Sequence, residues 1–440
     1  MSGHRERSHS HINLYTPGLP PQTLTPQLRT PALVIDRSTF ADNCARMHDR
    51  AAHLGTQFRA HVKTHKTSEG VRLQLKSSST ETHSVVVSTL MEAWSIVQAG
   101  LVSDGTVNDI LYGLPVSPAK IADLHALRET LATHNAALRL MVDHPYQIRA
   151  LEAFDRQHPS TNPLLEKWSV FVKIDVGTKR AGLTPSSPDL HGLVNTLIAS
   201  PTISIHGFYA HAGHSYASTS HAQATSDLQN EISCVNAAAA YALSKFTPQE
   251  KFVLSVGATP TAHAASDKVE FPTPLNGIVE LHAGNYPMLD SQQLATNLVK
   301  VENVAQRVLA SVVSYYVGRG EGDEAMCDAG AIAMSKDKGP YPGFGKVVSI
   351  IREGEDTEWA PRETGWLLGR ISQEHGILTR LNKCTPEEEQ DILRLGDVVS
   401  IVGQHACLTA AGHPWYYIVD SKDQSKGNVV VDVWVPWKGW

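Results

Sequence analysis

Lys63 stands in His61-Val62-Lys63-Thr64-His65-Lys66, at the close of a short extended run. Far downstream come Ser255-Val256-Gly257-Ala258-Thr259-Pro260-Thr261 and Glu280-Leu281-His282-Ala283-Gly284-Asn285-Tyr286. An amine at one strand end, with Gly, Ser and Thr turns at two later strand ends, suits a carbonyl cofactor that carries a phosphate. The amine forms a Schiff base and turn N–H groups take the phosphate, which is the chemistry of pyridoxal phosphate. A second grouping is His405-Ala406-Cys407. On a strand, residues i and i+2 share a face, so imidazole and thiolate would converge. Both ligate Zn²⁺, and two protein ligands leave positions open for water or substrate, which means a catalytic ion. The bland alternative is a buried cysteine beside a satisfied histidine.

Such residues need a scaffold that brings distant strand ends together. From Phe58 to Gly284 short β-type runs alternate with helical patterns: 58–64, 85–89, 108–113, 138–143, 168–175, 203–210, 252–257 and 277–284. Several are continuous in apolar residues, such as Val85-Val86-Val87 and Val170-Phe171-Val172, as strands buried on both faces should be. This alternation predicts a closed (β/α)₈ barrel, with a doubly wound open sheet as the runner-up. In such a barrel Lys63 ends run one. Asp175, Gly177 and Arg180 follow run five, and Tyr209, His211 and Tyr216 end or follow run six. The two Gly-containing turns close runs seven and eight, where barrels favour phosphates. After about residue 290 the pattern changes to longer strands at Val304–Val317, Lys346–Ile351, Asp397–Val402, Trp415–Val419 and Val429–Val435. The domains expected are a polar tail over 1–29, a barrel over 30–295 that opens with an extended segment at Thr30–Ile35, and an antiparallel β domain over 296–440.

Composition narrows the function classes. A net charge of −6 and a pI near 6.4 give no electrostatic reason to expect nucleic acid or an anionic membrane as partner. No apolar run approaches the ~20 residues of a membrane span. The tail before Leu28 lacks an apolar core and does not read as a secretory signal. Its His4, His9 and His11 read as a solvated tail rather than a metal site. The five cysteines, Cys44, Cys234, Cys327, Cys384 and Cys407, are odd in number and form no CxxC pair. A reduced, cytoplasmic protein is expected.

Taken in order, TPALVID (30–36), HVKTHKT (61–67), KIDVGTKRAG (173–182), GFYAHAGHSY (207–216), SVGATPT (255–261), ELHAGNY (280–286), SQEHG (372–376) and HACLTA (405–410) resemble the fold-type III pyridoxal-phosphate enzymes, the alanine-racemase-like barrels. Within them the chain is most similar to the branch holding eukaryotic D-serine dehydratase and D-threonine aldolase. The resemblance implies Lys63 as the cofactor-attaching lysine. It implies Arg180, Tyr209, Tyr216, Thr259, Gly284, Asn285 and Tyr286 as cofactor contacts, and His405 with Cys407 as zinc ligands. Members of the dehydratase type carry His-x-Cys, whereas aldolases tend to His-x-Asp, so Cys407 implies elimination of water from a D-β-hydroxy amino acid, D-serine by default. A homodimer is also implied. The chain departs from the family in having Gly403-Gln404 where Pro-Asn is usual. Glu374-His375 has two readings, a pair that orients a metal ligand or a polar turn. The alternatives are a D-threonine aldolase, a 3-hydroxyaspartate dehydratase and a non-catalytic cofactor carrier. The last is a single barrel without the β domain seen here.

Overall fold

The computed structural model describes residues 23–159, 162, 165, 167–319, 322–352, 359–362, 364–380 and 392–440. The tail up to residue 22, with His4, His9 and His11, lies outside the described residues, as does Cys384. The first strand is β1 (Ala32–Asp36). The eight runs then appear as β2 (Gln57–His61), β3 (Ser84–Val87), β4 (Asp109–Pro115), β5 (Ala137–Val142), β6 (Trp168–Ile174), β7 (Ile203–Ala210), β8 (Val253–Val256) and β9 (Ile278–Ala283). All eight pair in parallel, and β2 pairs with β9 to close the barrel. The open-sheet alternative is thereby excluded.

Helices are stopped and started by local chemistry. Asp36 caps the helix Arg37–His53, whose Phe40, Cys44, Met47 and Ala51 form its buried face. Thr67 and Thr89 accept from backbone N–H groups to start the helices Ser68–Leu75 and Leu90–Gln98. The barrel interior has two halves. One is apolar, made of Val86, Leu111, Met141, Phe171, Tyr209 and Val253. The other is a buried polar file that includes Arg59, Ser255, Glu280 and His282.

The second domain contains β10 (Gln306–Tyr316), β11 (Glu324–Cys327), β12 (Gly345–Ile351), β13 (Trp366–Ile371), β14 (Gly376–Arg380), β15 (Val398–Gly403), β16 (Tyr416–Val419) and β17 (Asp432–Trp434). Six of them, in the order β10-β11-β14-β13-β12-β15 and back to β10, pair antiparallel in a closed ring. β1 joins this sheet rather than the barrel. It pairs antiparallel with β10 and parallel with β16. All five residues of β1 are buried. The extended segment expected at the head of the barrel thus completes the other domain's sheet. Among the described residues no helix is long and apolar enough to cross a membrane.

Candidate active site

The C-terminal strand ends of the barrel enclose a cavity of about 470 Å³. His61 and Lys63 border it from the end of β2, Lys173 from β6, Arg180 from the loop beyond, and Tyr209 from β7. Tyr216, Thr259, His282 and Gly284 complete this part of the wall. Seven of the residues singled out from sequence therefore share one cavity: Lys63, Arg180, Tyr209, His211, Tyr216, Thr259 and Gly284.

Asn285 and Tyr286 are not among its lining residues. The Asn285 side chain turns away and donates to Asp290, while its backbone N–H donates to Thr259 Oγ1 at 3.1 Å. Tyr286 is fully buried, edge-on to Phe58, with Cys44 and Gln74 beside its hydroxyl. Its ring fills the core behind the wall, which corrects its reading as a residue facing a phosphate. The Ser255–Thr261 turn also differs from expectation. The Gly257 N–H donates to Glu231 at 3.2 Å and the Ala258 N–H to Thr261 Oγ1 at 2.8 Å, so neither is free for an anion. Gly257 has φ +141°, and a β-carbon there would collide with the His282 carbonyl.

The lysine turn is held from several sides. Lys66 N–H closes it onto Val62 O at 3.0 Å, and Thr64 Oγ1 donates to Gly284 O at 3.2 Å. Thr64 Oγ1 also lies 3.2 Å from Cys407 Sγ, which places the HACLTA segment of the second domain against the barrel's lysine turn. His405 and Cys407 do converge, but not on a strand. β15 ends at Gly403, and His405 is the N-cap residue of the helix Ala406–Gly412. The strand-to-helix turn, not strand alternation, brings the two side chains together.

His405 Nδ1 lies 2.6 Å from Asp337 Oδ2, which leaves Nε2 for another partner. Asp290, fully buried, accepts from the Ala406 N–H at 2.8 Å and so ties this turn to Asn285. Burial opposes ionisation of Cys407, but the hydrogen bond and charge of His405, with the charge of Lys63, outweigh it and lower the thiol's pKa. Burial likewise opposes the His405 cation, and Cys407, Asp290 and Asp337 outweigh it to raise that pKa. A thiolate and an imidazole with one nitrogen already anchored are a donor set that fits Zn²⁺. No group of three or more metal-ligating side chains occurs among the described residues. Glu374 and His375 lie in the turn between β13 and β14, and the carboxylate that meets His405 is Asp337 instead.

Sequence reading also missed Lys173, His282 and Glu231. Lys173 is 6% exposed, and its Nζ sits 4.3 Å from the centre of the Tyr209 ring. Burial, then the Arg180 charge, pulls its pKa down to about 7. A lysine inside the apolar strand Trp168–Ile174 was the available signal. His282 stacks on Tyr209, centroids 4.1 Å apart. Glu231 is fully buried, and burial pushes its pKa up to about 7. It accepts from the N–H of Ala212 and Gly257 and from Thr261 Oγ1, joining the loops after β7 and β8. The cavity thus offers two amines, a guanidinium, two phenols, a threonine hydroxyl and a buried His282 Nε2 that has no partner among the described residues. That inventory fits a phosphorylated pyridine aldehyde.

Comparison with known proteins matches residues 35–272 to the alanine racemase N-terminal domain and residues 305–419 to a serine dehydratase domain. A D-serine dehydratase of Schizosaccharomyces pombe is 44% identical over 418 residues, covering 94% of this chain and 92% of that protein. The D-serine dehydratase of Saccharomyces cerevisiae is 36% identical over 440 residues, covering 94% and 96%. Among solved structures, the D-threo-3-hydroxyaspartate dehydratase of a Delftia species superimposes with a TM-score of 0.77 at 29% identity, covering 95% of this chain and 100% of that one. A cysteine-to-alanine variant of a dehydratase of that name has been solved in a metal-free form.

Proposed function

The chain belongs to the alanine-racemase-fold family of pyridoxal-phosphate lyases that contains the D-serine dehydratases, and from that premise we propose that it eliminates water from D-serine, giving a 2-oxo acid and ammonia. The observation that carries the reading is the approach of Cys407 Sγ to Thr64, which joins the His405–Cys407 pair to the lysine turn. A lysine cavity alone would serve many reactions. A lysine cavity with His-x-Cys at its edge supports loss of a β-hydroxyl.

In this reading Lys63 attaches the cofactor, and Arg180, Tyr209, Tyr216, Thr259 and Gly284 surround it. His405 and Cys407 hold zinc. When bound, the cofactor supplies an electron sink for charge at Cα and zinc a Lewis acid for the departing hydroxyl. Lys63 Nζ would be the base that takes the Cα proton. Asp337 would keep His405 oriented through Nδ1, and Cys407 lies beside Thr64 of the lysine turn. Tyr209, which borders the cavity, packs with the apolar half of the barrel interior, and that dry wall would limit water in the site.

The test offers D-serine, D-threonine and D-threo-3-hydroxyaspartate to purified protein and identifies products before and after chelation. Ammonia and a 2-oxo acid from D-serine, lost on chelation while the cofactor stays bound and restored by zinc, are the expected result. Glycine and an aldehyde as the main products of D-threonine would put the protein on the aldolase side. Full D-serine turnover in metal-free protein would remove the role given to His405 and Cys407.

A further inference from the structure

Across the barrel interior runs a file of buried hydrogen bonds. Arg139 Nε donates to Asp109 at 2.9 Å, and Arg59 Nη1 donates to the same carboxylate at 2.6 Å. Arg59 Nε donates to Glu280 Oε1 at 2.9 Å. That oxygen also accepts from Ser255 Oγ at 2.8 Å. Ser255 Oγ lies 3.0 Å from His282 Nδ1, and the ring of His282 borders the cavity. Arg59, Ser255, Glu280 and His282 are each 2% exposed or less. The far nitrogen of this histidine, Nε2, is buried and has no partner among the described residues.

The order of donors fixes the tautomer. A guanidinium only donates, so Glu280 Oε1 is an acceptor toward both Arg59 and Ser255. The one hydroxyl hydrogen of Ser255 is spent on Glu280, so its lone pair must accept from His282 Nδ1–H. Nε2 is then a bare lone pair. Burial and the neighbouring charges of His211 and Lys173 push the imidazole pKa well below its ordinary value, so a second proton does not settle there. A buried acceptor without a donor is destabilising, and a ligand that brings an N–H or O–H removes that cost. Pyridoxal phosphate has acceptors at its phosphate and phenolic oxygen, and its one ring donor is the protonated nitrogen.

We infer that His282 is the hydrogen-bond acceptor for the protonated ring nitrogen of the cofactor, presented as a lone pair because Glu280 and Ser255 hold its proton on Nδ1. This rests on the pyridoxal-phosphate reading of the cavity. An acceptor at that place keeps the ring in its protonated form, the form that withdraws electrons best. His282 and its two supports are thus residues for the same reaction that lie outside the sequence-derived set.

The experiment reconstitutes full-length protein with pyridoxal phosphate labelled with ¹⁵N in the ring. It reads ring protonation by nitrogen NMR and cofactor affinity by absorbance titration. Wild type should show a protonated ring nitrogen at pH 8. His282→Leu should show an unprotonated one and bind cofactor about ten-fold more weakly, the effect of one lost bond to a charged donor. His282→Gln, whose amide oxygen accepts, should keep the ring protonated. Ser255→Ala frees the tautomer without touching the cavity wall, and it should lower ring protonation even if the leucine variant fails to fold. An unprotonated ring in wild type, or unchanged protonation in the leucine or alanine variant, overturns the assignment. Failure of the underlying reading looks different: wild type would then take up no cofactor, or borohydride would fix the pyridoxyl group away from Lys63.

Discussion

Lys63 and Lys173 place two amines on one cavity wall in different surroundings. Lys173 is nearly inaccessible and, with a pKa near 7, is largely neutral at pH 8. Neutrality alone would make it a competent nucleophile, so attachment must be settled by chemistry. Borohydride reduction followed by peptide mapping should place the pyridoxyl group on Lys63, and Lys63→Ala should abolish both the label and turnover. A label on Lys173 would reverse the two roles. Cys407 gives a second residue-level expectation. Its lowered pKa means that it carries more thiolate at a given pH than an ordinary thiol. Burial moves Cys44 and Cys234 the other way and pushes Cys327 up to about 12. Among the four described cysteines, iodoacetamide at pH 8 should therefore alkylate metal-free protein first at Cys407, and zinc should protect it. Modification of Cys234 before Cys407 would contradict the thiolate.

The turn from β15 into the helix Ala406–Gly412 is the element on which the metal reading depends, and two carboxylates hold it. Asp337 fixes the ring of His405 and Asp290 fixes the backbone at Ala406. Asp337→Ala should weaken zinc binding about 10–100-fold, the usual cost of losing a carboxylate behind a ligating histidine, with cofactor affinity unchanged. Equal zinc affinity in the variant would make Asp337 a surface residue. The sequence made the barrel strands legible because they are buried on both faces and read as unbroken apolar runs, as in β3 and β6. It hid β11, β13 and β14, which are short and broken by Glu324, Gly369, Arg370 and Thr379. Runs of that kind look like loops until their partners are known. HACLTA misled for a related reason. Its residues follow a strand closely, and their small side chains carry no periodicity that announces a helix. Of the site, residues at strand ends were legible by position, whereas Lys173, Glu231 and His282 depend on neighbours from other strands. Tyr286 was overassigned because a motif fixes where a residue sits in the chain and not which way its ring turns.

For the whole molecule, the architecture rests on a short N-terminal strand. Val34 of β1 is fully buried and pairs with Arg307 on one side and Tyr417 on the other. Val34→Asp would bury an unpaired charge in the middle of the sheet and should cost about 4 kcal/mol or more. The melting temperature measures it, and loss of zinc affinity should accompany the fall, since the same domain carries His405 and Cys407. A variant that melts like wild type would mean that the sheet does not need this strand. The position of β1 also sets a schedule for synthesis. The strand is synthesised well before β16, which covers one of its edges. Until then that edge of backbone N–H and C=O groups has no mate and is open to pairing with other chains. A chain interrupted anywhere before β16 lacks the piece that seals the sheet. The domain that carries His405 and Cys407 therefore cannot close before β16 has been made.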